Sequence, residues 1–123
     1  MSDDPRHTFG EWGEDLAARH LKAAGFEIVA RGFRCRFGEI DIIATKADLL
    51  VFCEVKSRRR AGFTTPLEAV NRTKQQRLVK TAGWYLSRKG WDGGVRFDVI
   101  AVLARPGTRP EIEWIEDAFP WSE

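Results

Sequence analysis

The stretch Gly38-Glu39-Ile40-Asp41-Ile42-Ile43-Ala44-Thr45-Lys46-Ala47-Asp48-Leu49-Leu50-Val51-Phe52-Cys53-Glu54-Val55-Lys56 decides how the rest of the chain is read. Two runs rich in Ile, Val, Leu and Phe flank Ala44-Thr45-Lys46-Ala47-Asp48, the pattern of a β-hairpin with a loose turn. Alternation puts Glu54 and Lys56 on one face with Leu50 and Phe52, and Val51, Cys53 and Val55 on the other. Glu39 and Asp41 likewise share a face. A turn centred on Lys46-Ala47 sets Asp41 opposite Phe52 and Glu39 opposite Glu54, with Asp41 diagonal to Glu54. A slip of one residue would send the two sets of charges to opposite faces. Like charges facing each other in a sheet are destabilising unless something positive lies between them. A divalent cation is the expected occupant.

At 123 residues the chain has room for one domain, read as spanning 1–123 with loose ends at 1–7 and 120–123. Hydrophobic residues make up 43% and charged residues 31%, a globular balance without low-complexity segments. No apolar run approaches the ~18 residues that cross a bilayer, and the acidic start Met1-Ser2-Asp3-Asp4-Pro5 is unlike a signal peptide. Cys35 and Cys53 read as free thiols, which points to a reducing cytoplasm. The net charge of +2 implies little by itself. Its distribution says more. Arg31, Arg34 and Arg36 lead into the hairpin, Lys56, Arg58, Arg59 and Arg60 leave it, and Lys74, Arg77 and Lys80 follow. Basic groups around an acidic centre suit a phosphodiester substrate, although each taken alone reads as ordinary solvated surface.

Thr8-Phe9-Gly10-Glu11 has the form of a capping box, and the helix after it is expected to run to about Ala24 and stop at Gly25. Phe9, Trp12, Leu16, Ala17, His20, Leu21 and Ala24 form its apolar stripe. Glu14 projects at the edge of that stripe, as a salt-bridge partner or as a carboxylate aimed at the hairpin site. Asp15 faces water and can pair with Arg19. Glu27-Ile28-Val29-Ala30 begins a first strand, and Phe37-Gly38 reads as a kink or bulge. Arg58 to Thr64 is a basic loop. Thr65-Pro66-Leu67-Glu68 opens a second helix that Asn71 interrupts, and Thr73-Lys74-Gln75-Gln76 restarts it, with Leu78, Ala82, Tyr85 and Leu86 inward. Val95 to Leu103 is a covered strand, in which Asp98 reads as the structural partner of an arginine. Residues 111–116 alternate as an edge strand. The order helix, three strands, helix, strand, strand makes a mixed sheet, three-layered if the helices cover opposite faces.

Phosphodiester hydrolysis needs an activated water and a way to hold charge on the phosphoryl oxygens, and Mg²⁺ or Mn²⁺ supplies both. Mg²⁺ takes hard oxygen ligands and keeps several waters, so Asp41, Glu54 and the Val55 backbone carbonyl suffice as donors. Lys56 then stands within reach of the attacking water or the phosphate. With only His7 and His20 present, neither a zinc cluster nor a Ser-His-Asp set is available.

Gly38-Glu39-Ile40-Asp41 followed by Glu54-Val55-Lys56-Ser57-Arg58 resembles the Asp…Glu-x-Lys signature of the PD-(D/E)-x-K, restriction-endonuclease-like superfamily. With Gly13-Glu14, Thr65-Pro66-Leu67-Glu68-Ala69-Val70 and Arg96-Phe97-Asp98-Val99, the resemblance extends to the bacterial YraN-like family. It also touches the archaeal Holliday-junction resolvases, which place a glutamate on the first helix. The resemblance implies an α/β fold with a sheet of about five strands flanked by helices. It further implies a divalent-metal-dependent nuclease acting on DNA, branched or junction DNA included. Catalytic roles would fall to Asp41, Glu54, Lys56 and Glu14, with metal held by Asp41, Glu54, the Val55 carbonyl, Glu14 and, less centrally, Glu39. Arg36, Arg58, Arg59, Arg60, Lys74 and Arg77 would meet the nucleic acid. Ile40 stands at the proline of the signature. Gln75 is followed by Val79, so a Gln-x-x-x-Tyr pattern is incomplete and Gln75 is a secondary candidate. A non-catalytic nucleic-acid-binding module and an interaction domain with ordinary salt bridges are the other readings. A second copy of the chain is a possible partner through the 111–116 edge; a membrane is not.

Overall fold

Thr8 and Asn71 start the two helices in the same way. Each side chain accepts the backbone N–H three residues on, Glu11 N at 3.1 Å and Lys74 N at 3.0 Å, which satisfies one of the amides a helix start leaves open. The structure is a computed structural model and describes residues 8–59 and 65–121. Helix α1 spans Phe9–Ala23, strands β1, β2 and β3 span Glu27–Cys35, Gly38–Lys46 and Leu49–Arg58, helix α2 spans Arg72–Lys89, and strands β4 and β5 span Gly94–Leu103 and Glu111–Phe119.

The five strands form one mixed sheet in the order β1-β2-β3-β4-β5. All neighbours run antiparallel except β3 and β4, which run parallel and are joined across the sheet by α2. Ala17, Ala18 and Leu21 of α1 pack with Ile42, Val51, Cys53, Ile100 and Val102 on one face. Leu78, Val79, Ala82 and Tyr85 of α2 pack with Ile43, Phe52, Phe97 and Val99 on the other. Three layers result, and both faces of the central stretches Leu50–Cys53 and Phe97–Val102 are dry, which explains their nearly continuous apolar sequence. Past β5, Trp121 stacks on Phe97 with centroids 5.8 Å apart.

Several local expectations are corrected. The hairpin pairs Ile43 with Phe52 and Lys46 with Leu49, so its turn is Ala47-Asp48 and the register lies two residues from the expected one. Ala47 takes the left-handed conformation this tight turn demands (φ 52°). The shift brings Asp41 level with Glu54, one step beyond the last pair Ile42–Cys53, instead of diagonal to it. Arg36-Phe37 is the turn between β1 and β2, and the irregularity expected there lies instead between Ile28 and Ala30. The hydrogen bonds expected at Thr65 and Glu68 form, but they close a single turn, and α2 begins only after Asn71. Phe9, Trp12, Leu16, His20 and Ala24 are half-buried; the buried line of α1 is Gly13, Ala17, Ala18 and Leu21. Asp15 pairs with Arg31 at 2.7 Å.

Asp98 is the structural partner its sequence context predicts. It is 1% exposed, accepts two hydrogen bonds from Arg96 at 2.8 Å, one from Trp114 Nε1 at 2.8 Å and one from Asp117 N at 2.9 Å. Those last two contacts tie β5 to β4 beside the break in their pairing between Phe97 and Val99.

Candidate active site

Strands β2 and β3 part company beyond Ile42 and Cys53, the last pair of their ladder toward this end. Ile42 packs toward α1 while Ile40, two residues away, packs toward α2, so side-chain alternation breaks at Asp41. The Asp41 carboxylate fills the gap between the strands, where Oδ2 accepts the Val55 N–H at 2.8 Å. One residue's N–H and C=O point to the same side of a strand, so the Val55 carbonyl faces this gap as well.

Asp41 and Glu54 lie within hydrogen-bond reach of each other. Burial first, then the contact and charge of Glu54, raise the Asp41 carboxyl from 3.8 to about 8, against the opposing pull of Val55 N–H and Lys56. At neutral pH the pair is therefore short of positive charge and retains a proton. Lys56, on the face of β3 that looks toward α2, has its pKa lowered by burial and next by the adjoining Lys74 amine from the first turn of α2. Two carboxyls and two amines thus meet at one end of the sheet.

On the α1 side the same Asp41 borders a cavity of about 240 Å³ lined by Phe9, Gly10, Glu14, Asp41, Val55 and Ser57. Gly13 makes this approach possible, because a Cβ there would overlap Ser57 Oγ. Glu14 does reach the site, but Arg31 Nε holds its carboxylate at 3.1 Å. Burial lifts the Glu14 pKa and Arg31 partly offsets that rise. Glu39 leans to β1, where Arg34 meets it at 3.3 Å. With these two acids engaged, no group of three or more His, Cys, Asp or Glu among the described residues is placed to hold an ion together. The donors left facing the gap are Asp41, Glu54 and the Val55 carbonyl.

The basic candidates divide. Lys74 and Arg77 are exposed on the first two turns of α2, and Arg36 stacks over Phe37 at 4.8 Å. Arg59 lies over the Phe9 ring at 4.2 Å, and Arg58 is bound through its carbonyl to Ala104 N at 2.8 Å. Arg60 lies outside the described residues. Gln75 is occupied structurally, donating to the Val70 carbonyl at 2.9 Å. Sequence reasoning missed Phe9, Gly10 and Ser57. The parity of Ser57 with Val55 was the available signal, but only the packing of α1 places them together.

The model of the uncharacterised protein family UPF0102 matches residues 13–102. The chain belongs to this family. It is 49% identical to the UPF0102 protein of Nocardia farcinica over 115 residues, covering 93% of this chain and 91% of that one. It is 50% identical to the UPF0102 protein of Rhodococcus opacus over 112 residues, covering 89% and 94%. The relative from Geotalea daltonii is 48% identical over 113 residues, covering 91% and 89%. The UPF0102 match bears out the YraN-like resemblance and embraces every acid of the site. No helix among the described residues of this UPF0102 protein is long and apolar enough to cross a membrane.

Proposed function

We propose that this UPF0102 protein is a divalent-metal-dependent nuclease that hydrolyses phosphodiester bonds in DNA, with branched or junction DNA among its substrates. The observation that carries the reading is the Asp41–Glu54 contact, two carboxyls pressed together at a partly buried strand gap with Asp41 raised to about 8. Such an arrangement costs stability unless a cation repays it. The donors fit Mg²⁺ or Mn²⁺, since both acids and the Val55 carbonyl offer hard oxygens and the adjoining cavity has room for water ligands. The ion would polarise the phosphate and supply a water acidic enough to attack.

This chain's own residues do the rest. Lys56, partly desolvated, orients the attacking water or neutralises a phosphoryl oxygen. Lys74 adds a second positive charge, and Arg36, Arg58, Arg59 and Arg77 draw in the backbone. A second copy of the chain, paired along the β5 edge of the sheet, would let both strands be cut together. The free thiols Cys35 and Cys53 support a cytoplasmic location.

Labelled linear, flapped and four-way DNA, incubated with Mg²⁺ or Mn²⁺, tests the proposal; scission that disappears with EDTA and with Lys56→Ala is the expected result. Binding that persists in EDTA without scission in any metal would favour a second reading, a non-catalytic nucleic-acid-binding module. The grip of Arg31 on Glu14 favours that second reading, because it leaves two free carboxylates rather than three.

A further inference from the structure

The described residues hold one aromatic cluster at the mouth of the acidic cavity. Phe9 lines that cavity together with Glu14 and Asp41. Trp12, one turn along α1, stacks on Phe9 with centroids 5.2 Å apart and planes inclined by 15°. The Arg59 guanidinium lies over the Phe9 ring at 4.2 Å. Trp12 is anchored by packing against the α1-side core, whereas Arg59 is exposed. Phe9 is only half-buried, so its ring adds little to the core.

We infer that Phe9, backed by Trp12 and flanked by Arg59, is a stacking platform for an unpaired nucleobase next to the phosphate that Asp41, Glu54 and Lys56 handle. The inference rests on the nuclease reading and adds its substrate class, DNA with an unpaired strand at the scission point. Flat rings bind any base by its π-face, and a guanidinium plane stacks in the same manner. In the free protein Arg59 covers the ring. Its exposed cation–π contact is weaker than a base stack, so an incoming base displaces it and leaves the guanidinium to meet a neighbouring phosphate. A base inside a duplex has both faces covered by its stacked neighbours, which makes the platform selective for flaps, frayed ends and branch points.

The test uses the full chain in EDTA buffer, so that no cleavage is needed. A flapped duplex carries 2-aminopurine at its first unpaired position, and a matched linear duplex carries it inside the helix. Stacking on Phe9 should quench the flap probe, and Phe9→Leu, which keeps apolar bulk but removes the ring, should abolish the quench and weaken flap binding about tenfold. Duplex binding should change less than twofold, and Phe9→Trp should restore the flap values. Circular dichroism and melting temperature of Phe9→Leu confirm that the fold is kept; Phe9→Met, equally without a ring, serves if it is not. Equal losses on flap and duplex, or an unquenched probe on bound wild-type protein, overturn the platform. Quenching without scission in any metal leaves the platform standing and sinks the nuclease reading instead.

Discussion

The Val55 N–H donates to Asp41 Oδ2 at 2.8 Å across the gap where β2 leaves β3. That bond replaces a rung of the ladder with a side chain and brings the Asp41 carboxyl against Glu54. The sheet therefore stores electrostatic strain where the pairing of β2 with β3 ends.

Asp41→Asn should relieve that strain. Unfolded, Asp41 titrates near 3.8, and folded near 8. Between those values the folded state keeps a proton the unfolded state has lost, so stability falls as pH rises through that window. Asparagine mimics the protonated acid and removes the dependence. Metal-free melting curves should agree near pH 4 and diverge in favour of the variant by pH 8, by several degrees for each ~1 kcal/mol relieved. A variant less stable at pH 8 would mean that the carboxylate serves an ordinary salt bridge.

Added Mn²⁺ or Mg²⁺ should raise the melting temperature of the wild type. At a concentration about 100-fold over Kd the gain is about 2.7 kcal/mol. Because the Asp41 proton must leave first, the gain should grow from pH 6 to pH 8.5. Glu54→Gln should lose most of it. Arg31→Ala, which frees the Glu14 carboxylate, should increase it.

Lys56→Ala should lower scission by about 10²–10⁴ while leaving DNA affinity nearly unchanged. The Lys74 amine helps hold the Lys56 pKa down. If the Lys56 ammonium is the active form, Lys74→Ala should therefore move the alkaline limb of the pH–rate profile upward. A limb that does not move would remove Lys56 from the rate-limiting protonation state.

Gly13→Ala should push α1 off β3, since the new methyl overlaps Ser57 Oγ. Overpacking of this kind costs about 1–3 kcal/mol. Ser57→Gly in the same chain should recover most of the loss in a chemical-denaturation experiment, whereas an independent effect would simply add.

Asp98→Ala should be strongly destabilising although it lies away from the site. It leaves Arg96, Trp114 Nε1 and Asp117 N without their shared acceptor, a loss of about 3 kcal/mol by analogy with broken buried pairs. The increment in melting temperature from metal should persist, because Asp98 belongs to the β4–β5 join and not to the strand gap.

Much of this architecture was legible in the residues. Hydrophobic period, capping side chains and Gly25 or Gly90 marked both helices, and apolar β-branched runs marked the strands, because these signals act over a few residues. That Asp41 and Glu54 come together was legible too, but not how: the register was two residues off, and alternation breaks at Asp41, so the carboxyls meet across the strand gap rather than on one face. The start of α2 was harder. The sequence offers Thr73 as the cap that restarts the helix and treats Asn71 as a break, yet Asn71 itself caps α2, its side chain accepting from Lys74 N.

The sequence by itself determined that acids, a lysine and a ring of arginines surround one hairpin, and that helices cover the sheet carrying it. Tertiary structure alone decided which acids remain available. Arg31 reaches Glu14 from β1 and Arg34 takes Glu39, while Asp41 and Glu54 are left to face each other. Such choices depend on side chains distant in the chain competing for one another through space, and no local pattern records the outcome of that competition.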